Sequence, residues 1–124
     1  MIGPIKTVTV YVDNQEKAVE FYTQKLDFEL RRSLPMGPNA QWVEVSPRGA
    51  QTCLVLYPKA MMPNATALKA GVVFHSSDVL GTCRHLESLG VTIGMPPKQM
   101  PWGMFATFLD PDGNEFGLTS QDIA

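Results

Sequence analysis

One order of elements occurs twice in this 124-residue chain. Residues Ile5 to Val12 alternate β-branched with other side chains, which predicts a strand. Asn14 is placed as an N-cap, and Val19, Tyr22 and Leu26 share one stripe, so a helix is expected to about Leu26. Phe28 to Ser33, Ala40 to Ser46 and Gln51 to Tyr57 read as three strands, with Pro47-Arg48-Gly49 as the turn before the last. Lys59 to Ala65 carries Pro63 and Asn64 and reads as a linker. The order then recurs. Gly71 to Ser76 is a strand and Asp78 a cap. Val79, Cys83 and Leu86 follow at i, i+4 and i+7, and Gly90 supplies the helix stop. Val91 to Ile93, Met104 to Leu109 and Glu115 to Thr119 give three more strands. The expectation is an α+β fold of two βαβββ modules in a single domain. Module 1 covers about 1–58, the linker about 59–68 and module 2 about 69–124.

Overlaying the caps, Asn14 on Asp78, puts Thr7 opposite Gly71. Overlaying the closing hairpins puts Leu54-Val55-Leu56 on Phe116-Gly117-Leu118. A sheet covered by a helix on one face only should alternate apolar and mixed residues. Val8, Val10 and Val12 are expected under the first helix, leaving Thr7, Thr9 and Tyr11 on the other face. Val72 and Phe74 go to the second helix, leaving Gly71, Val73 and His75. Two such sheets cup their helix-free faces around a cavity.

The closing hairpin is the most specific piece of sequence. Phe105 to Leu109 runs into Asp110-Pro111-Asp112-Gly113-Asn114, then into a second alternating strand. Pro111 presets its own φ, and Gly113 supplies the positive φ that the turn requires. With Phe21-Tyr22 in the first helix and the Leu89-Gly90-Val91 helix exit, this hairpin resembles the vicinal-oxygen-chelate superfamily of glyoxalases, extradiol dioxygenases, and fosfomycin and bleomycin resistance proteins. The resemblance spans essentially the whole chain. It implies paired βαβββ modules, a homodimer, and a small-molecule site in each cupped sheet, in many relatives built from modules of two chains.

It also implies where a metal would be held. In metal-dependent relatives the ligands are a His on the opening strand, a Glu or Gln on the last strand of the first module, a His or Gln opening the second module, and a Glu on the last strand. The matching residues here are Thr7, Val55 (or Leu54 under a shifted hairpin), Gly71 and Gly117. A divalent ion on N/O ligands needs about three protein groups. Val and Gly supply none, so no metal and no other cofactor is expected, and the Lewis acid of the lyase and dioxygenase mechanisms is lost. His75, Glu44 beside Trp42, and Glu115 are the residues that could rebuild a site, and His75 is the candidate general base. His85 is expected on the surface.

Other classes are excluded more simply. The net charge of −2 offers no basic patch for nucleic acid. No apolar run reaches membrane-spanning length and no leader opens the chain, so a cytoplasmic protein is expected. Cys53 and Cys83 fall at apolar positions and read as buried free thiols. There is no phosphate-binding Gly-rich loop and no Gly-x-Ser-x-Gly elbow. Met61-Met62 and the segment from Met95 to Met104, with Trp102 and three prolines, offer adaptable apolar surface for either a lid or a dimer interface.

The sequence therefore predicts a metal-free homodimer that sequesters a small apolar or aromatic molecule. The residues expected to face it are Thr7, Thr9, Tyr11, Trp42, Val55, Tyr57, Val73, His75, Trp102 and Met104. The alternative is a glyoxalase-like lyase, isomerase or dioxygenase, working through substituted ligands or through His75. A third reading is a scaffold dimer whose cavity its own side chains fill.

Overall fold

A computed structural model describes residues 5–38, 40–61 and 71–120. The chain divides into two compact units, Met1–Ala70 and Gly71–Ala124. The expected linker, beyond Met61, lies outside the described residues, as does Met62.

The first unit contains β1 (Thr7–Val12), α1 (Gln15–Glu20), β2 (Glu29–Pro35), β3 (Gln41–Ser46) and β4 (Cys53–Pro58). Its sheet runs β1-β4-β3-β2, with β1 parallel to β4 and the other pairs antiparallel. The Asn14 side chain caps α1 by accepting from the Lys17 N–H at 2.9 Å. A single α-helix to Leu26 does not form. After Glu20 the chain widens into a π-helical turn, Phe21–Lys25, in which the Leu26 N–H reaches the Phe21 carbonyl. The wider turn alters the buried stripe. Ala18, Phe21 and Tyr22 are buried, whereas Val19 and Leu26 are only half-buried. Asp27 then takes a positive φ of 60° and turns the chain into β2. Val10, Val12, Val43, Val45, Leu54 and Leu56 complete this core on the helix-covered face. A fully buried side chain of this kind contributes about 1.5–3 kcal/mol.

The second unit contains β5 (Val72–His75), α2 (Val79–Ser88), β6 (Thr92–Ile93), β7 (Lys98–Met100), β8 (Gly103–Leu109) and β9 (Glu115–Thr119). Its sheet runs β5-β9-β8-β6, the same path as the first, with β5 parallel to β9. The Asp78 side chain accepts from the Gly81 N–H at 3.0 Å, matching the Asn14 cap. Val79, Cys83 and Leu86 are the buried stripe of α2. Gly90, at φ 84°, ends it. Its N–H reaches the Glu87 carbonyl and the Val91 N–H reaches the Leu86 carbonyl, which satisfies two orphan carbonyls. Phe74, Phe108 and Phe116 form a ring cluster with centroids 5.5–6.4 Å apart. The segment before β8 is more ordered than the sequence suggests. Lys98–Met100 pairs with Gly103–Phe105, so Pro101 and Trp102 form the tip of a hairpin.

The β8–β9 turn is held by a buried acid. Asp110 is 5% exposed, and its carboxyl accepts from the backbone N–H groups of Asp112 (3.0 Å) and Asn114 (2.8 Å) and from the Asn114 side-chain amide (2.8 Å). The Gly113 N–H closes the turn on the Asp110 carbonyl. Bonds to a charged acceptor are each worth about 1.5–3 kcal/mol, so this motif fixes the β9 register as well as the turn.

Candidate functional site

Strand register decides which side chains share the helix-free faces. In the first unit Thr7 lies opposite Cys53, Thr9 opposite Val55 and Tyr11 opposite Tyr57. Parallel partners point to the same side. Glu44 lies opposite Val55 on β4 and opposite Arg32 on β2, and Trp42 lies opposite Leu34. Thr7, Thr9, Tyr11, Trp42, Val55 and Tyr57 therefore occupy one face. Val55 is fully buried, Thr7, Thr9, Tyr11, Trp42 and Tyr57 are half-buried, and Leu34 is 48% exposed. The Tyr11 and Tyr57 rings meet edge-on at 6.1 Å. The Trp42 Nε1–H donates to Glu44 Oε2 at 2.7 Å, and Glu44 is 8% exposed.

In the second unit Val73 lies opposite Gly117 and His75 opposite Thr119, with Thr107 opposite Gly117 and Phe105 opposite Thr119. Val73 is 56% exposed and His75 is exposed. Trp102, at the β7–β8 tip, is 51% exposed. Met104 does not join this face. It shares strand parity with Ala106 and Phe108, whose partners Leu118 and Phe116 face the helix side. The Thr107 hydroxyl donates to Glu115 Oε2 at 2.6 Å and accepts from the Met95 N–H at 2.7 Å, which pins the exposed Glu115.

The positions matching the family's metal ligands do not suit a metal. Thr7 brings one hydroxyl, Val55 is a buried hydrocarbon, and Gly71 and Gly117 carry no side chain. The space above Gly117 is filled. A Cβ placed there would lie 3.0 Å from Phe105 Cζ and 3.1 Å from Val73 Cγ2. Where the family's last Glu would project, this chain packs an aromatic ring and a methyl group. Among the described residues no group of three or more His, Cys, Asp or Glu is placed to hold an ion. His75, Glu44 and Glu115 are not brought together as one.

Cys53 and Cys83 are free and buried. Burial, aided by the Glu87 charge, pushes the Cys83 thiol up, away from the thiolate a nucleophile needs. His85 is exposed on α2.

A cleft of about 900 Å³ lies elsewhere, on the helix-covered side of the first sheet. Asp13, Glu16 and Val19 line one wall, and Leu30, Gln41 and Val43 the other. Gln15 braces it, donating to the carbonyls of Gln41 (2.6 Å) and Leu56 (2.8 Å) and accepting from the Gln41 N–H (3.1 Å). None of the residues expected to face a ligand lines this cleft.

Residues 5–118 match the model of the Glyoxalase/Bleomycin resistance protein/Dioxygenase superfamily. The chain belongs to this superfamily. A Bacillus subtilis (strain 168) protein, YetH, itself uncharacterised, is 48% identical, over 95% of this chain and 98% of the relative. A superfamily member from Sphaerobacter thermophilus DSM 20745 has a similar structure. Its TM-score is 0.85 at 35% identity, covering 95% of this chain and 97% of that one. TnmS3, described as an antibiotic binding protein from Streptomyces sp. CB03234, gives a TM-score of 0.82 at 36% identity over 98% of both chains. The fold is thus the glyoxalase/bleomycin resistance fold, an α+β arrangement of two mixed sheets with few helices. Among the described residues no helix is long and apolar enough to cross a membrane.

Sequence parity did not reach Phe105, because only the pairing of β8 with β9 reveals that it stands over Gly117. The Trp42–Glu44 bond had a visible signal in the i, i+2 spacing on one strand.

The packing over Gly117 makes a specific prediction. Gly117→Glu should lower the unfolding free energy by about 1–3 kcal/mol, the usual cost of overpacking. In a Phe105→Ala background the same change should cost less, as measured in urea by a double-mutant cycle. Additive effects would show that the ring does not occupy that space.

Proposed function

We propose that this chain binds a small apolar or aromatic molecule on the helix-free faces of its cupped sheets and acts by sequestration, without a resident metal. The observation that carries the reading is the floor at Gly117. Where a metal ligand would stand, Phe105 and Val73 pack instead, and Val73 is still 56% exposed to whatever lies on that face. Water held against such a surface is released on binding, at about 25 cal/mol per Å² of apolar area. Half-buried Tyr11, Tyr57 and Trp42 extend apolar and ring surface on the first sheet. Thr7, Thr9, Val73 and His75 supply the rest of the surface, over the support of buried Val55, with Trp102 available at the hairpin tip. The likeness to TnmS3, described as antibiotic binding, supports the same class of function.

The reading includes a homodimer, since two-fold pairing is the commonest way to cover sheet edges and exposed apolar loops. An enzyme with His75 as base has less support. His75 is exposed, and no hydrogen bond or ion pair from another described residue orients it.

Two measurements test the proposal. Planar aromatic compounds should raise the thermal midpoint by several degrees at saturating concentration, because a ligand at 100 times its Kd stabilises by about 2.7 kcal/mol. A library in which added Zn, Ni or Mn stabilises the protein and aromatic compounds do not would contradict it. Native mass spectrometry should find two 13.6 kDa chains with no bound ion. A metal-loaded monomer would overturn both the assembly and the chemistry.

A further inference from the structure

Glu44, bonded to Trp42, is a polar group on the first sheet's helix-free face that the binding reading leaves unused. Glu44 is a buried residue, 8% exposed. Burying such a group is costly unless its oxygens find partners. Its Oε2 accepts from the Trp42 indole at 2.7 Å. Among the described residues its Oε1 has no partner. Yet among the described residues no buried side-chain nitrogen or oxygen lacks a hydrogen bond. Oε1 must therefore be the atom that still reaches solvent. The group is held at one oxygen and open at the other.

The surroundings narrow what could meet that oxygen. Val55, opposite Glu44 on β4, is fully buried. Arg32, opposite on β2, is exposed and lies in no ion pair with Glu44 among the described residues. Leu34, opposite Trp42, leaves an apolar surface beside the indole ring. A carboxyl oxygen in this setting accepts and does not donate when ionised. The flat ring and the leucine favour a planar partner.

We infer that Glu44, oriented by Trp42, is a specificity-determining residue that selects planar aromatic ligands carrying a hydroxyl over those without one. The inference rests on the proposed binding function and adds the class of ligand. A hydroxyl on an aromatic ring donates to Oε1 while its ring lies against Trp42 and Leu34. An analogue without the donor covers Oε1, strips its water and leaves it unpaired, and that loss sets the discrimination.

The test uses two probes of nearly equal shape, 2-naphthol and its methyl ether, 2-methoxynaphthalene. Affinities are measured by fluorescence titration on the full chain. The wild type should bind 2-naphthol about tenfold more tightly than the ether, as expected for a hydrogen bond to a charged acceptor. Glu44→Met, which keeps the volume and removes the acceptor, should bring the two affinities within about twofold. Glu44→Gln guards against a folding failure. Its carbonyl can take the Trp42 bond, which turns the amide NH₂ outward, so the preference should also fall. Equal affinities in the wild type, or a preference that survives both substitutions, would overturn the inference while leaving aromatic binding intact. Failure of both probes to bind at millimolar concentration would overturn the inference and the binding reading together.

Discussion

The register of the two parallel pairs, β1 with β4 and β5 with β9, governs which face each side chain takes. Thr9 opposite Val55 and Val73 opposite Gly117 fix which side chains lie beneath a helix and which lie on the open face. A slip of one residue would exchange the two sets completely. Several local devices hold the register. The Asn14 and Asp78 side chains cap the helices that follow β1 and β5. The Asp110 carboxyl locks the last hairpin. The apolar residues of Val10, Val12, Leu54 and Leu56 in one sheet, and Phe74, Phe108 and Phe116 in the other, make any other alignment expensive.

That register also sets what fills the helix-free face of the second sheet. Gly117 and Val73 are neighbours across the parallel pair, and β8 brings Phe105 over them. Removing the side chain at one position makes room for a ring from the next strand. The result is an apolar floor in place of an anionic ligand. In the other sheet the equivalent position is Val55, which is fully buried. Two carboxyls on these faces are held by neighbours, Glu44 by Trp42 and Glu115 by Thr107. Fixed polar groups on an apolar face are what orient a small ligand in a binding site.

Much of this was legible in the sequence because it is local. The caps at Asn14 and Asp78, the glycine at position 90, the Asp110–Asn114 turn and the alternation of β1 and β5 all depend on residues within a few positions of one another. The repeat made the two sheets comparable, and Thr9 with Val55 does match Val73 with Gly117. What escaped is non-local. The π-helical turn from Phe21 lets two adjacent aromatic residues reach the same core, a gain visible only when the sheet is present. The β7 strand pairs with the start of β8 at Gly103, and the pairing of β8 with β9 puts Met104 at the parity of the helix-covered side. Phe105 became important only through its position over Gly117.

The central claim is that ligand meets the helix-free faces. Amide and indole chemical shifts followed by two-dimensional ¹⁵N NMR during titration with 2-naphthol test it directly. Perturbation is expected at the Trp42 indole N–H and at Thr9, Tyr11, Tyr57 and Val73, with little change at Gln15, Glu16 and Gln41. Perturbation confined to those last three, which lie at the cleft on the helix-covered side, would contradict it.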